Sequence, residues 1–312
     1  MATAHMQDIQ RQTSATLRAA VEHAAEGEVA ASLKLLTPRI AEVAHARERY
    51  ATIAQHYTTL LPQARAETLI VAGTHAARAA INAEVRARLN LAGAPVHILV
   101  ARDLTEAQRK SAVSYRPGDV VQVQKAYASL GLARGEPATV VSAQAGRVTL
   151  QREDGQVVEW RPALMPHVAV YLVAERDMAV GDRVRVSAND YGLGLVNGEF
   201  GTVSALTSQA LTLTKETGTQ VVLDLRRPLH LEHGYCTTVH SAQGQTCERV
   251  MIDADVSSAM TNESLYYVAI SRARSEVQLY TDDRSLLVRA MSRIDIKAAA
   301  LDLGRSQDGM GM

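Results

Sequence analysis

The chain has 312 residues, 47% of them hydrophobic and 21% charged, with 33 basic and 33 acidic side chains. That length accommodates two or three domains, each able to bury a core. The cancelling charges exclude the global basic field many nucleic-acid binders carry, so any DNA contact has to come from a local groove. With Phe and Trp occurring once each, the cores rest on Leu, Val, Ile and Ala. The two cysteines, Cys236 and Cys247, are too few for a disulfide framework and suit a reducing compartment. No run of 18 apolar residues predicts a membrane span. The N-terminus lacks the basic-then-apolar order of a secretory signal.

Residues 8–35 read as helical, because Leu17, Ala20, Val21 and Ala24 recur at helical spacing while Glu22, Glu26 and Glu28 supply polar faces. A second helix is expected over 40–60, with Ile40, Val43, Ile53 and Leu60 among its apolar positions and Pro62 stopping it. Residues 68–73 form a short continuous apolar run ending in Gly73, the signature of a strand buried on both faces in a parallel sheet. A helix over 76–89 follows, which makes half of a βαβ unit.

Between 91 and 229 the pattern changes to alternation punctuated by glycine, and it repeats. Gly118-Asp119-Val120-Val121 matches Gly181-Asp182-Arg183-Val184; Gly131, Gly135, Thr139, Thr149 and Gly155 match Gly194, Gly198, Thr202, Thr212 and Gly218. The offset is 63 throughout, as from 118 to 181, with no gap. This predicts two small antiparallel β-barrels of SH3-like type in tandem, at 91–166 and 167–229. Beyond 230 the α/β pattern returns, with strands at 250–253 and 277–281 and helices over 264–272 and 283–302. The expected fold class is therefore α/β: a parallel-sheet domain in two parts, 1–90 and 230–302, carrying the barrel pair as an insertion. The tail 303–312 reads as disordered.

Two segments carry chemistry. One is Thr237-Thr238-Val239-His240-Ser241-Ala242-Gln243-Gly244-Gln245-Thr246, and the other is Tyr266-Tyr267-Val268-Ala269-Ile270-Ser271-Arg272-Ala273-Arg274. They resemble the two closing motifs of a superfamily 1 helicase, yet no G-x-x-x-x-G-K-[ST] phosphate loop occurs in the chain. Motif by motif, residues 8–285 resemble the C-terminal half of the helicase region of a conjugative relaxase–helicase of the TraI/TrwC type, related to RecD-like helicases.

The resemblance implies a motor with two RecA-like domains and ATP in the cleft between them. This chain corresponds to the second, which contributes arginines, while the first carries the phosphate loop and the magnesium carboxylate. Arg272 is the implied catalytic residue, because positive charge placed on γ-phosphate oxygens stabilises phosphoryl transfer; a solvated arginine on an amphipathic helix would look the same outside this motif. Arg11, within Asp8-Ile9-Gln10-Arg11-Gln12-Thr13, is the second implied phosphate contact, although such a polar stretch also fits an exposed helix start. Gln12, Gln243, Gly244 and Tyr267 are implied on the nucleotide side. Thr238, His240 and Ser241 are implied contacts to the DNA backbone, where small hydroxyls and a glycine allow close approach. Thr74, at the C-terminal end of the strand 68–73, and Asn82 on the following helix are implied at a DNA phosphate; simple N-capping is the alternative for Thr74.

His230, His233, Cys236 and His240 invite a zinc reading by spacing. The helicase motif already accounts for Cys236 to His240, so no metal is expected. Tyr115, Tyr127, Trp160 and Tyr191 are the only obvious aromatic platforms of the β region, which favours backbone tracking over base readout.

The expectation is a cytoplasmic bacterial protein segment that helps couple ATP hydrolysis to 5′–3′ movement on single-stranded DNA. ATP and Mg would be held only together with the first RecA-like domain of the same polypeptide, and without a phosphate loop this chain alone is not expected to hydrolyse ATP. The alternative is a non-catalytic translocation-signal module recognised by a type IV secretion coupling protein and carried into the recipient cell.

Overall fold

The structure is a computed structural model and describes residues 11–144, 146–242 and 245–294, apart from the side chain of His240. The expected tail, the end of the last expected helix, and Gln243 and Gly244 lie outside the described residues. The chain divides into two compact units: one from residues 1–91 and 233–312, the other from 92–232.

The first unit is built on a five-stranded sheet. Its strands are β1 (Ile40–Glu42), β2 (Thr68–Ala72), β14 (Cys236–Thr238), β15 (Cys247–Ala254) and β16 (Ala273–Thr281), in the order β1-β16-β15-β2-β14 and parallel throughout. All five residues of β2 are buried, as its unbroken apolar sequence requires of a strand covered on both faces.

The helices of this unit are α1 (Ala15–Ala25), α2 (Val29–Leu35), α3 (Ala46–Thr59), α4 (Pro62–Ala66), α5 (His75–Leu89), α7 (Val239–Ala242), α8 (Glu263–Ile270) and α9 (Arg284–Met291). The single helix expected over 8–35 is two, because Gly27 turns the chain at φ +79° between them. The helix expected over 40–60 gives its first residues to β1. Ile-Ala-Glu is too short to show strand alternation, and only pairing with Leu279–Thr281 of β16 reveals it. Pro62 does not merely stop α3: it opens α4, where its missing N–H costs nothing. Helix α5 starts on a Thr74 cap, whose hydroxyl accepts from Ala77 N at 3.1 Å, and ends on left-handed Asn90.

The second unit contains β3 (Gly93–Ala101), α6 (Glu106–Lys110), β4 (Val120–Val123), β5 (Pro137–Gln144), β6 (Arg147–Arg152), β7 (Val157–Trp160), β8 (Val168–Ala179), β9 (Arg183–Val186), β10 (Phe200–Leu206), β11 (Ala210–Lys215), β12 (Gln220–Asp224) and β13 (Leu231–His233). They make two sheets, β3-β8-β4-β5-β6-β7 and β12-β11-β10-β9-β13, whose paired strands are antiparallel wherever register is defined. The repeat seen in sequence persists in detail. The bulge after Val140 in β5 recurs after Val203 in β10. The Gly155 and Gly218 turns have φ of 84° and 85°. The Arg152–Glu136 ion pair recurs as Lys215–Glu199. The bond from Gln124 N to His167 O has its counterpart from Ser187 N to His230 O, so each copy reaches a fifth strand, β8 in one and β13 in the other.

The copies do not divide at residue 166. The first core holds Val121, Val140, Leu150, Trp160, Val168 and Val170. The second takes Val96 and Ile98 from β3 and Met178 from the far end of β8. The long strand β8 pairs β4 through Val168–Tyr171 and β3 through Tyr171–Ala179, so it serves both cores. No helix among the described residues is long and apolar enough to cross a membrane.

Candidate functional site

The segment that carries Arg272 leaves α8 and enters β16. Asn262 caps α8 by accepting from Leu265 N at 2.9 Å. The last turn then delivers Ser271 and Arg272 to the start of β16, at the N-terminal edge of the parallel sheet. The Arg272 guanidinium is partly buried. Its Nε donates to Val268 O at 3.1 Å, one terminal nitrogen to Gln245 O at 3.4 Å, and the other to Ser271 Oγ at 3.2 Å. Among the described residues no carboxylate pairs with it.

The N-terminal segment is stitched to the same place. Gln12 is buried, and its side-chain amide donates to Ser271 O at 3.3 Å and Ala273 O at 3.0 Å, the two carbonyls that flank Arg272. Thr13 N donates to Arg274 O at 2.7 Å. Arg11 is therefore held beside Arg272 with its side chain exposed. Burial lowers the Arg272 pKa below its ordinary value and the neighbouring Arg11 charge lowers it further, against smaller opposing effects of Tyr267 and Cys247. Two guanidiniums set together, with no carboxylate beside them among the described residues, repel each other until an anion joins them. The amide oxygen of Gln12 is buried and has no hydrogen-bond partner.

The second group lies at the other edge of the sheet. Thr238 ends β14 opposite Ala72 of β2, with Thr74 just beyond that strand. The Thr238 hydroxyl donates to Ser241 Oγ at 3.2 Å across the first turn of α7. From Thr238 the chain runs through α7 and returns to Gln245, whose carbonyl receives Arg272, before entering β15. One crossover of about eight residues thus links the hydroxyl pair at the C-terminal edge to the arginine at the N-terminal edge. His240 lies in α7. Tyr267 is exposed on α8 beside Arg272.

Asn82 differs from expectation. It is buried, its oxygen accepts from Tyr235 N at 3.1 Å and Cys236 N at 2.9 Å, and its amide donates to Cys236 O at 3.0 Å. It staples α5 to the start of β14, where sequence reading placed it on a DNA phosphate. Thr74 spends its hydroxyl on the cap of α5. Cys236 is buried in the core against Ile70 and Tyr235, and burial pushes its thiol well above the usual range, helped by Asp253.

Sequence reasoning missed a buried ion network. Arg49 on α3 is 1% exposed, and its Nε meets Asp253 Oδ1 at 2.7 Å while a terminal nitrogen meets Asp255 Oδ2 at 3.2 Å. Burial opposes the Arg49 charge, but Asp253, Asp255 and Asp282 outweigh it and raise its pKa. The available signal was Asp253 itself, a carboxylate directly after the apolar run Val250-Met251-Ile252, which calls for a buried partner.

Comparison with known proteins follows these motifs. Residues 233–280 match the UvrD-like helicase C-terminal domain. The conjugal transfer protein TraA of Rhizobium radiobacter is 35% identical over 43% of this chain and 12% of its own length. The multifunctional conjugation protein TraI of Escherichia coli is 27% identical over 81% of this chain and 15% of its own. The RecBCD enzyme subunit RecD of Mycolicibacterium smegmatis is 30% identical over 39% of this chain and 22% of its own. The chain thus spans a small part of the relatives it matches. A crystal structure of Bacteroides Pif1 bound to ssDNA aligns with 97% of this chain and 56% of that one at 14% identity and a TM-score of 0.49. The chain is accordingly similar, over parts of its length, to the TraA and TraI conjugation proteins and to RecD, and residues 233–280 match the UvrD-like helicase C-terminal domain.

Proposed function

We propose that this chain is the second RecA-like motor domain, with its inserted repeat pair, of a conjugative relaxase–helicase moving 5′ to 3′ along single-stranded DNA. The observation that carries the reading is the meeting of Arg11 and Arg272 with no carboxylate between them among the described residues. A transferring phosphoryl group spreads charge over three oxygens, and two preplaced guanidiniums match that distribution. In this reading Mg-ATP supplies the phosphoryl group from a phosphate loop on the first lobe. Arg272 and Arg11 neutralise its γ-oxygens, Gln12 holds them in register, and Thr238 and Ser241 grip a DNA phosphate. Arg272 leaves the Gln245 carbonyl to reach the nucleotide, and the 239–246 crossover transmits that release to the DNA grip. The antiparallel repeat copies would be the SH3-like insertion of such a motor.

The test is Arg272→Ala in the full-length protein that contains this chain. DNA-stimulated ATP turnover should fall by roughly 10³-fold or more, and unchanged turnover would leave the domain as a scaffold remnant. This chain alone should show no magnesium-dependent turnover.

A second reading is favoured by one observation. The loop between β9 and β10 exposes Tyr191 (78%), Leu193 (43%) and Val196 (55%). Their counterparts in the first copy are Ala128, the buried Leu130, and Ala133. An apolar loop tip of this kind fits docking to a secretion coupling protein. A reporter fused to this chain should then enter recipient cells, and Tyr191→Ser with Leu193→Ser should stop it. Transfer unaffected by both substitutions would dismiss this reading.

A further inference from the structure

The two repeat copies share strands, bulges, turns and ion pairs, so differences between them stand out against a common frame. The sharpest difference is in charge pairing. In the first copy every carboxylate between 116 and 167 meets an arginine: Asp119 with Arg102, Glu136 and Asp154 with Arg152, Glu153 with Arg227, and Glu159 with Arg147. Arg116, Lys125, Arg134 and Arg161 are left exposed, without a carboxylate partner among the described residues. In the second copy every cation is paired, from Arg183 with Glu216 to Arg226 with Asp224.

Two of the unpaired cations lie on one loop. Backbone bonds from Gly135 N to Val123 O at 2.7 Å and from Gln124 N to His167 O at 2.9 Å bring three segments to the same end of the first sheet. Lys125 sits on one limb of the β4–β5 loop, Arg134 on the other, and His167 on the adjoining entry to β8. The carboxylate near His167 is Glu106, which is already paired with Lys110 at 2.7 Å. At the equivalent places the second copy has Ala188, Asn197 and His230, the last of them half-buried against the Tyr171 ring at 4.8 Å. The loop geometry is the same and the chemistry is not.

We infer that Lys125 and Arg134, with His167 beside them, form a phosphate-contact site for single-stranded DNA on the first repeat copy only. Exposed, unpaired, flexible cations release counterions from a phosphodiester chain at little desolvation cost. The loop's one aromatic, Tyr127, is half-buried with its hydroxyl accepting from His167 N at 3.1 Å, so the contact is to phosphates and sequence-independent. The site rests on the proposed single-stranded DNA reading and adds to it a second foothold outside the parallel-sheet unit.

The test uses the whole chain and a labelled oligo(dT), with binding followed by fluorescence anisotropy across a salt series. Lys125→Ala with Arg134→Ala should weaken binding several-fold and flatten the slope of log K against log salt by about 0.7 for each lost phosphate contact. Circular dichroism should be unchanged, because both side chains are exposed. Grafting the pair onto the second copy, as Ala188→Lys with Asn197→Arg, should restore part of the lost slope. Thr238→Ala with Ser241→Ala separates the two ideas. If that variant loses affinity while the Lys125/Arg134 variant keeps both affinity and slope, the tip is not a DNA site and the motor reading stands. If the unaltered chain shows no salt-dependent binding at all, both fail.

Discussion

Replacing Arg49 by alanine isolates the energetics of the buried network. Arg49 and Asp253 are 1% and 3% exposed and 2.7 Å apart, and Asp255 adds a second contact at 3.2 Å. Removing the cation leaves Asp253 in the core with no counter-charge, and burial already pushes that carboxyl upward even with Arg49 present to pull it back. Breaking one side of such a pair costs about 3–5 kcal/mol, while removing both partners is far milder. Arg49→Ala should therefore lower the stability of the parallel-sheet unit by about 3–5 kcal/mol. Arg49→Met with Asp253→Leu should recover most of it. The more exposed pair Arg39–Glu276 at 2.7 Å is the control, with an expected cost below about 1 kcal/mol. Urea unfolding followed by circular dichroism, read as a double-mutant cycle, supplies the coupling energy. A single-variant loss under about 1 kcal/mol, or additive single and double variants, would refute the argument that Asp253 depends on this guanidinium.

Three further outcomes follow from the same geometry. Asn82→Ala should destabilise the first unit by about 1–3 kcal/mol for each backbone group left unsatisfied, measured by chemical denaturation; a role on DNA would instead lower oligonucleotide affinity with stability intact. Gly155→Ala and Gly218→Ala should each cost about 1 kcal/mol or more, and by nearly equal amounts, because both sit near φ +84° with open space around a new Cβ; a difference larger than the measurement error would show that the two turns are not equivalent. At alkaline pH, burial raises the Tyr266 phenol to about 12, against a smaller opposing effect of Ser32, and burial also raises Tyr115, Tyr171 and Tyr280. Folded-state pKa values above the unfolded value of about 10 give stability that is complete below that pH and declines as pH rises through the folded values. Absorbance at 295 nm should therefore show these phenols ionising together with loss of the circular-dichroism signal, and free titration near pH 10 with the fold intact would contradict it.

Much of this architecture was legible in the sequence for definite reasons. The run at 68–72 is apolar throughout because β2 is covered on both faces, and period alone revealed it. The repeat was legible because glycine at positive φ tolerates no substitute at little cost, which preserves the spacing of 63 through otherwise divergent copies. Other parts were not legible. Strand β1 is three residues long and exists only through its partner in β16. Gln12 sits in a polar stretch that could as well have been an exposed helix start, and only a contact across some 260 positions shows it clamping the carbonyls around Arg272. Arg49 looks like any surface arginine of an amphipathic helix until the fold brings Asp253 beside it. Asn82 was misplaced for the opposite reason: an amide on a helix near a strand edge suits a ligand or a staple equally, and the backbone of 235–236 claims it.

Strand β8 gives its first residues to one hydrophobic core and Met178 to the next, while β3, which precedes both copies, gives Val96 and Ile98 to the later one and sets Leu99 against Val120 of the earlier. The duplicated modules are consequently not beads that a protease or a deletion can part cleanly. Excising either would strip a wall from its neighbour. Residues 92–232 should therefore melt as one cooperative body, in a single transition rather than two.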